Sequence, residues 1–162
     1  LCSSNDGWEQ VTTDICALHD YADNKETIAQ HCADRSEVET HACDWRPCYA
    51  NTEKPTGQEA FMVTEYGGIA FENIGIQGEM GGMQTWGYHG KVTDEEAFFA
   101  RFKAVTDGVR EIPYCQGYCY TQLTDVMQEI NGLLTPDRKP KMDVDRVRAI
   151  NQNALGRTNQ LT

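Results

Sequence analysis

Apolar residues concentrate in three short runs separated by long polar or helical stretches: Ile15-Cys16-Ala17-Leu18, Ala60-Phe61-Met62-Val63, and Tyr114 through Tyr120. Each run is nearly continuous rather than alternating, which is how a strand reads when both faces of a parallel sheet are covered. The clearest helical pattern opens at Thr93-Asp94-Glu95-Glu96, where the spacing predicts a capping box: Thr93 accepts from the Glu96 amide and Glu96 reaches back. Phe98, Phe102, Val105 and Val109 then recur at helical spacing, and Pro113 marks the stop. A second helix is predicted after Asp143, with Val144, Val147 and Ile150 facing inward and Arg146 and Arg148 in water. The segment after Asp23, with Glu26 in capping-box position and Ile28 and Cys32 beyond it, predicts a shorter helix. It gives way to a polar stretch up to Gln58 that holds most of the acidic excess and reads as solvated surface.

Strands that alternate with helices and lie too far apart for hairpins imply βα units with right-handed crossovers, hence an α/β fold. Either an open doubly wound sheet or a section of a (β/α) barrel fits. Gly78-x-x-Gly81-Gly82 follows no predicted strand and opens no predicted helix, and neither GxGxxG nor a P-loop occurs, so a nucleotide site is a poor reading. The Gly-rich stretch from Gly67 to Gly90, with Trp86 and Tyr88, instead directly follows the second strand. Loops at the carboxyl ends of barrel strands are where such folds keep substrate contacts.

Charge narrows the partners. With 14 Lys+Arg against 25 Asp+Glu, the chain of 162 residues carries a net charge of −11. That field opposes polyanions, so nucleic acid and membrane are not expected as partners. No apolar run reaches membrane-spanning length, and the opening Leu1-Cys2-Ser3-Ser4-Asn5-Asp6 has neither the basic start nor the apolar stretch of a signal peptide. It reads as the continuation of a longer polypeptide, with Leu1 to Ser4 as the tail of a further strand. The seven cysteines are odd in number and irregularly spaced, as free thiols in a reducing compartment would be, which points to the cytoplasm. Cys43 and Cys48 lie near His31 and His41, but no CxxC pair occurs and the spacing fits no common zinc pattern, so no metal and no cofactor is expected.

The informative segment is Phe61-Met62-Val63-Thr64-Glu65-Tyr66-Gly67-Gly68, an apolar strand that ends in a carboxylate and then turns through two glycines. An ionised carboxylate at a buried strand tip loses hydration at a cost of several kcal/mol unless it is hydrogen-bonded or used. Two readings stand side by side: a functional carboxylate, and a structural one satisfied by an arginine or by backbone amides.

Thr64-Glu65-Tyr66-Gly67-Gly68, then Gln116-Gly117-Tyr118-Cys119-Tyr120-Thr121-Gln122-Leu123-Thr124-Asp125-Val126, Asn131-Gly132-Leu133-Leu134 and Asp137-Arg138-Lys139-Pro140-Lys141, closely resemble glycoside hydrolase family 2, the family of β-galactosidases, β-glucuronidases and β-mannosidases. The resemblance runs over nearly the whole chain. It implies that residues 1–162 are the carboxyl-terminal part of a (β/α)8 TIM barrel, about strands five or six to eight, since a full barrel needs about 250 residues. It also implies a retaining β-glycosidase in which Glu65 matches the nucleophile at the end of the seventh strand. Tyr114 to Tyr120 match the eighth strand and Asp14 to Tyr21 the sixth.

In such an enzyme one carboxylate attacks the anomeric carbon while a second, about 5 to 5.5 Å away, donates and then accepts a proton. The family places a partner for the nucleophile at the end of the sixth strand, where His19, Asp20 and Tyr21 stand. Which of them points inward is open, because a one-residue shift changes the face. Tyr120 matches a position where relatives place a tryptophan against the sugar. Trp86 and Tyr88 either stack on substrate or pack their loop, and Gln122 and Asp125 either recognise hydroxyls or hold structure. The acid/base lies in an Asn-Glu pair that this chain lacks, and Glu59 and Glu129 do not stand at strand ends. The proton donor is therefore expected from the remainder of the same polypeptide, and the segment alone is expected to be inactive. Relatives acting on glucuronides carry an Asn-x-Lys element that is also missing, which puts β-galactosides first among substrates. The expected partners are thus a carbohydrate substrate, the rest of the polypeptide, and further copies in a homo-oligomer. The reading from a different class is a non-catalytic carbohydrate-binding or interaction module derived from such a barrel.

Overall fold

The computed structural model describes residues 1–40, 46–50, 53, 55–73 and 84–152. In chain order the elements are β1 (Ile15–Asp20), α1 (Lys25–His31), α2 (Arg35–Thr40), β2 (Ala60–Gly67), β3 (Ala70–Phe71), β4 (Lys91–Val92), α3 (Glu95–Glu111), β5 (Cys115–Thr121) and α4 (Val144–Gln152). All three apolar runs form strands, and these join in one parallel sheet with the order β1-β2-β5. The chain is thus α/β with a parallel sheet. A second, two-stranded parallel pair, β3 with β4, is too short to be visible as a hydropathy pattern.

Helices α1 and α3 cover one face of the sheet. Cys16, Leu18, Phe61, Val63 and Tyr66 pack there against Ile28, Phe98, Phe102, Val105 and Val109, all of them buried. Burial of each large apolar side chain contributes roughly 1.5–3 kcal/mol, so this layer dominates the stability of the unit. The Tyr66 hydroxyl is satisfied within it by Thr106, 3.1 Å away. Strand β5 is only half buried, because it ends the sheet among the described residues. The expectation of strands covered on both faces therefore fails there.

Register decides what the opposite face presents. Leu18 pairs with Val63 but His19 pairs with Glu65, so β2 carries one extra residue at Thr64. The same excess appears against β5, where Val63 pairs with Tyr118 and Tyr66 with Tyr120. A bulge of this kind inverts the alternation beyond it. Strict alternation would send Glu65 to the helix-covered face with Phe61 and Val63; the bulge sends Tyr66 there and leaves Glu65 on the other side.

Several local expectations are corrected. The cap of α3 is Asp94, whose carboxylate accepts from the Ala97 amide at 2.8 Å, not Thr93. Glu96 does not reach back but pairs with Arg146 of α4. Helix α1 is capped by Asn24, accepting from the Thr27 amide, rather than by the Asp23–Glu26 box. Val144 is 44% exposed, because α4 is tethered along its Val147 and Ile150 side, and Arg146 is not free in water but lies over the Phe99 ring. The polar stretch up to Gln58 is more than solvated surface: it contains α2 and buries Val38, Glu39, Cys48 and Tyr49. Leu1 to Ser4 form no strand, although the Cys2 carbonyl accepts from the Asp14 amide at 2.8 Å.

Candidate active site

Glu65 lies near the carboxyl end of β2 with its side chain on the face opposite the helices. Its Oε2 accepts a hydrogen bond from the Tyr21 hydroxyl and lies 3.3 Å from His19 Nδ1. The other ring nitrogen, His19 Nε2, lies 3.2 Å from Asp6 Oδ2. The second oxygen of Asp6 accepts from the Thr64 hydroxyl on the bulge. The His19 side chain is 9% exposed, against 34% for Glu65 and 58% for Asp6, so a buried imidazole bridges two carboxylates that reach solvent.

Aromatic rings hold these groups. Trp8 packs edge-on against His19 with ring centroids 4.9 Å apart, and the Arg46 guanidinium lies 4.5 Å over the Trp8 ring. Tyr21 stacks face to face on Tyr88 at 3.8 Å. Burial first, and then the bond to the Glu65 carboxylate, push the Tyr21 phenol well above its ordinary range, so its hydroxyl keeps its proton and donates. The Gly67-Gly68 turn needs both glycines: their φ values are +92° and +57°, and a β-carbon would meet the Tyr120 ring at Gly67 and the Tyr88 and Tyr21 rings at Gly68.

Of the three residues proposed as partners of Glu65, two converge on it and one does not. Asp20 points to the helix side, accepts from the Ala22 amide at 2.9 Å and meets His31 Nδ1 at 3.0 Å, which secures the exit from β1. Alternation along β1 makes this unavoidable once His19 faces Glu65. Tyr120 is half-buried. Its ring packs against Tyr66 and Phe102, and its hydroxyl takes the Ile69 amide at 3.3 Å and donates to the Asn131 carbonyl at 3.4 Å. Trp86 stands on the rim, 47% exposed and 6.0 Å from Tyr88 by ring centroids. Gln122 follows β5; its amide donates to the Asn131 carbonyl at 3.3 Å, while its buried Nε2 has no partner among the described residues. Asp125 is structural: it is buried, 2.8 Å from Lys141 Nζ, and accepts from the Gly132 amide at 2.8 Å. Glu59 binds the Thr56 and Gly57 amides, and Glu129 accepts from Asn131 Nδ2.

Asp6 is the residue that the sequence pattern missed. It sits in no periodic element, and the only signal is its place beside Gly7 and Trp8, a turn followed by an aromatic. Asp6, His19 and Glu65 each offer a ligand atom within 4.8 Å of the others, a grouping of metal-ligand type. Each carboxylate lies against a different ring nitrogen, and His19 Nε2 is buried without a hydrogen-bond partner among the described residues. His31 and Cys48 are engaged elsewhere, with Asp20 and with Cys16 at 3.6 Å, while His41 and Cys43 lie outside the described residues.

Chemically, both contacts of Glu65 fall on Oε2. Among the described residues Oε1 makes no hydrogen bond, and it belongs to a side chain open enough to meet a ligand. No helix among the described residues is long and apolar enough to cross a membrane.

No protein-family model and no curated protein sequence matches the chain. Solved structures similar to it include a Bifidobacterium dentium β-glucuronidase complexed with coumarin-3-O-glucuronide, at 22% identity and a TM-score of 0.39 over 60% of this chain and 15% of that one. A Faecalibacterium prausnitzii β-glucuronidase is similar over 88% of this chain and 22% of its own, at 18% identity and a TM-score of 0.47. The chain therefore spans less than a quarter of the length of either protein.

Proposed function

We propose that this chain is the carboxyl-terminal part of the (β/α)8 barrel of a retaining β-glycosidase, with Glu65 as its nucleophile. The observation that carries this reading is the Glu65 carboxylate near the end of a parallel strand, held through Oε2 by the Tyr21 hydroxyl beside His19, with Oε1 making no hydrogen bond among the described residues. In the first step Oε1 attacks the anomeric carbon, a bond forms between them, and the glycosidic bond breaks. The leaving oxygen takes its proton from an acid supplied by the rest of the polypeptide, and water then cleaves the glycosyl ester. Tyr21 and His19 keep the carboxylate oriented while its charge is consumed and restored. Trp86, on the rim beyond Tyr88, is the ring best placed to meet a sugar or its aglycone. β-Galactosides come first among substrates because the chain lacks an Asn-x-Lys element for a sugar carboxylate.

The test uses the full natural polypeptide and a panel of 2-deoxy-2-fluoro β-glycosides with a good leaving group: galactoside, glucuronide and mannoside. Peptide mass mapping is expected to find the label on Glu65. Glu65→Gln is expected to lower turnover at least about a thousandfold with the fold retained. A label on another carboxylate, or none from the whole panel, overturns the assignment and favours the non-catalytic module.

A further inference from the structure

The expectation that no metal binds rests on the spacing of cysteine and histidine along the chain, whereas Asp6, His19 and Glu65 meet only in the fold. An oxygen of each carboxylate and a ring nitrogen of His19 lie within 4.8 Å of one another. The His19 side chain is 9% exposed, and its Nε2 is buried without a hydrogen-bond partner among the described residues. That atom faces Asp6 Oδ2 at 3.2 Å, while Nδ1 lies on the Glu65 side, 3.3 Å from Oε2. A buried polar atom without a partner is destabilising, and an imidazole nitrogen aimed at a carboxylate oxygen is satisfied when both bind one cation. The surroundings fix these donors. The Thr64 hydroxyl donates to Asp6 Oδ1 and leaves Oδ2 for an ion. Trp8 packs edge-on against the His19 ring, and Gly7 lies so close to it that a β-carbon there would stand 2.8 Å from ring atoms. Outer contacts of this kind orient the groups that ligate a metal.

We propose that Asp6 Oδ2, His19 Nε2 and a Glu65 carboxylate oxygen form a binding site for a divalent cation of zinc type, and that the bound cation competes with the sugar for Glu65. The competition rests on the reading of Glu65 as nucleophile; the cation site does not. One imidazole with two carboxylates suits zinc, whereas magnesium and calcium favour sets of oxygen alone. Bonds of about 2.0–2.2 Å put neighbouring ligand atoms about 3–3.5 Å apart, which is the spacing of Nε2 and Asp6 Oδ2. Glu65 completes the set by moving at most about 1.5 Å, and a side chain 34% exposed has room to do so. Three protein ligands leave a position for water, and the net charge of −11 favours the approach of a cation. A cation on Glu65 withdraws the electron pair that attacks the anomeric carbon and occupies the space in front of it.

The experiment uses the full natural polypeptide, stripped with a chelator, and its Asp6→Ala variant. Calorimetric titration with zinc chloride is expected to show a site in the parent whose affinity falls at least about tenfold in Asp6→Ala. Titration with magnesium chloride is expected to show no such difference. Zinc is also expected to slow labelling of Glu65 by the fluoro-glycoside, with the slowing relieved by excess glycoside and requiring at least about ten times more zinc in Asp6→Ala. Equal zinc titrations of the two proteins overturn the site, and an equal dependence on Asp6 for magnesium overturns its assignment to zinc. Should Asp6→Ala fail to fold, anomalous scattering at the zinc edge from zinc-soaked crystals of the parent decides: a peak bonded to the three side chains supports the site, and no peak there overturns it. Zinc bound through Asp6 with labelling unslowed overturns the competition alone. Absence of label on Glu65 without zinc overturns the nucleophile reading and the competition, while calorimetry still decides the cation site.

Discussion

A methyl group at Gly68 would have to share space with the Tyr88 and Tyr21 rings at a φ of +57°. Gly68→Ala is therefore expected to cost about 1–3 kcal/mol in a denaturant melt, from backbone strain and displaced rings. It is also expected to lower turnover of the full polypeptide, since Tyr21 is the hydroxyl that holds Glu65. A melt unchanged within error would show that the two rings move aside freely. Cys32 makes a different point at the same scale. Burial, with Asp20 nearby, pushes its thiol up to about 12. The thiolate is the form that alkylates, so at pH 8 Cys32 is essentially all thiol and is expected to resist iodoacetamide until the protein unfolds. Exposed Cys2 is expected to react in the native state, and peptide mass spectrometry checks the order.

At the scale of elements, the start of α3 shows how one residue of offset redistributes side chains. With Asp94 as the cap, Thr93 lies outside the helix and Glu96 is free to pair across to Arg146. Asp94→Ala is expected to lower stability by about 0.5–2 kcal/mol, whereas Thr93→Ala is expected to stay within about 0.5 kcal/mol. Thermal melts of the two variants measure the difference, and equal losses would restore the capping box. The Glu96–Arg146 pair is exposed and contributes little by itself. Its role is to dock α4 on α3, together with the Arg146 guanidinium 3.9 Å over the Phe99 ring.

For the whole molecule, the sheet has no further strand beyond β1 or β5 among the described residues, and its second face carries the half-buried Met62 and Thr64 and the exposed Cys119. Open strand edges offer unpaired backbone groups, and the Met62 side of the sheet is only partly covered. The 162-residue chain on its own is therefore expected to self-associate in sedimentation velocity. On the partial-barrel reading proposed above, co-expression with the remainder of the barrel is expected to suppress this, and a well-behaved monomer of the isolated chain would count against that reading. Asp125 and Lys141 form a fully buried pair in the segment after β5, with Lys141 also donating to the Ile130 carbonyl at 2.8 Å. Burial pulls the Lys141 ammonium down from its ordinary range while Asp125 supports it. Asp125→Ala strands that charge, and a loss of about 3–5 kcal/mol is expected by denaturant titration.

The positions of the three strands and the inner face of α3 were legible in the sequence, because burial repeats with the period of the backbone and Phe98, Phe102, Val105 and Val109 keep that period. Glu65 as a strand-end carboxylate followed from the apolar run before it and the Gly67-Gly68 turn after it, and a partner for it among His19, Asp20 and Tyr21 from the resemblance to a glycosidase family, with the choice among the three left open. The tertiary structure decided the rest. In a strand each extra residue reverses the facing of everything beyond it, and the bulge at Thr64 is visible only in the pairing of β2 with β1 on one side and β5 on the other. That single residue turns Glu65 toward His19 and Tyr21 and turns Tyr66 into the core. The same rule, applied along β1, takes Asp20 away from the site. Asp6 was invisible for a related reason: it belongs to no periodic element, and only the folding of its segment against the end of the sheet brings it within 3.2 Å of His19.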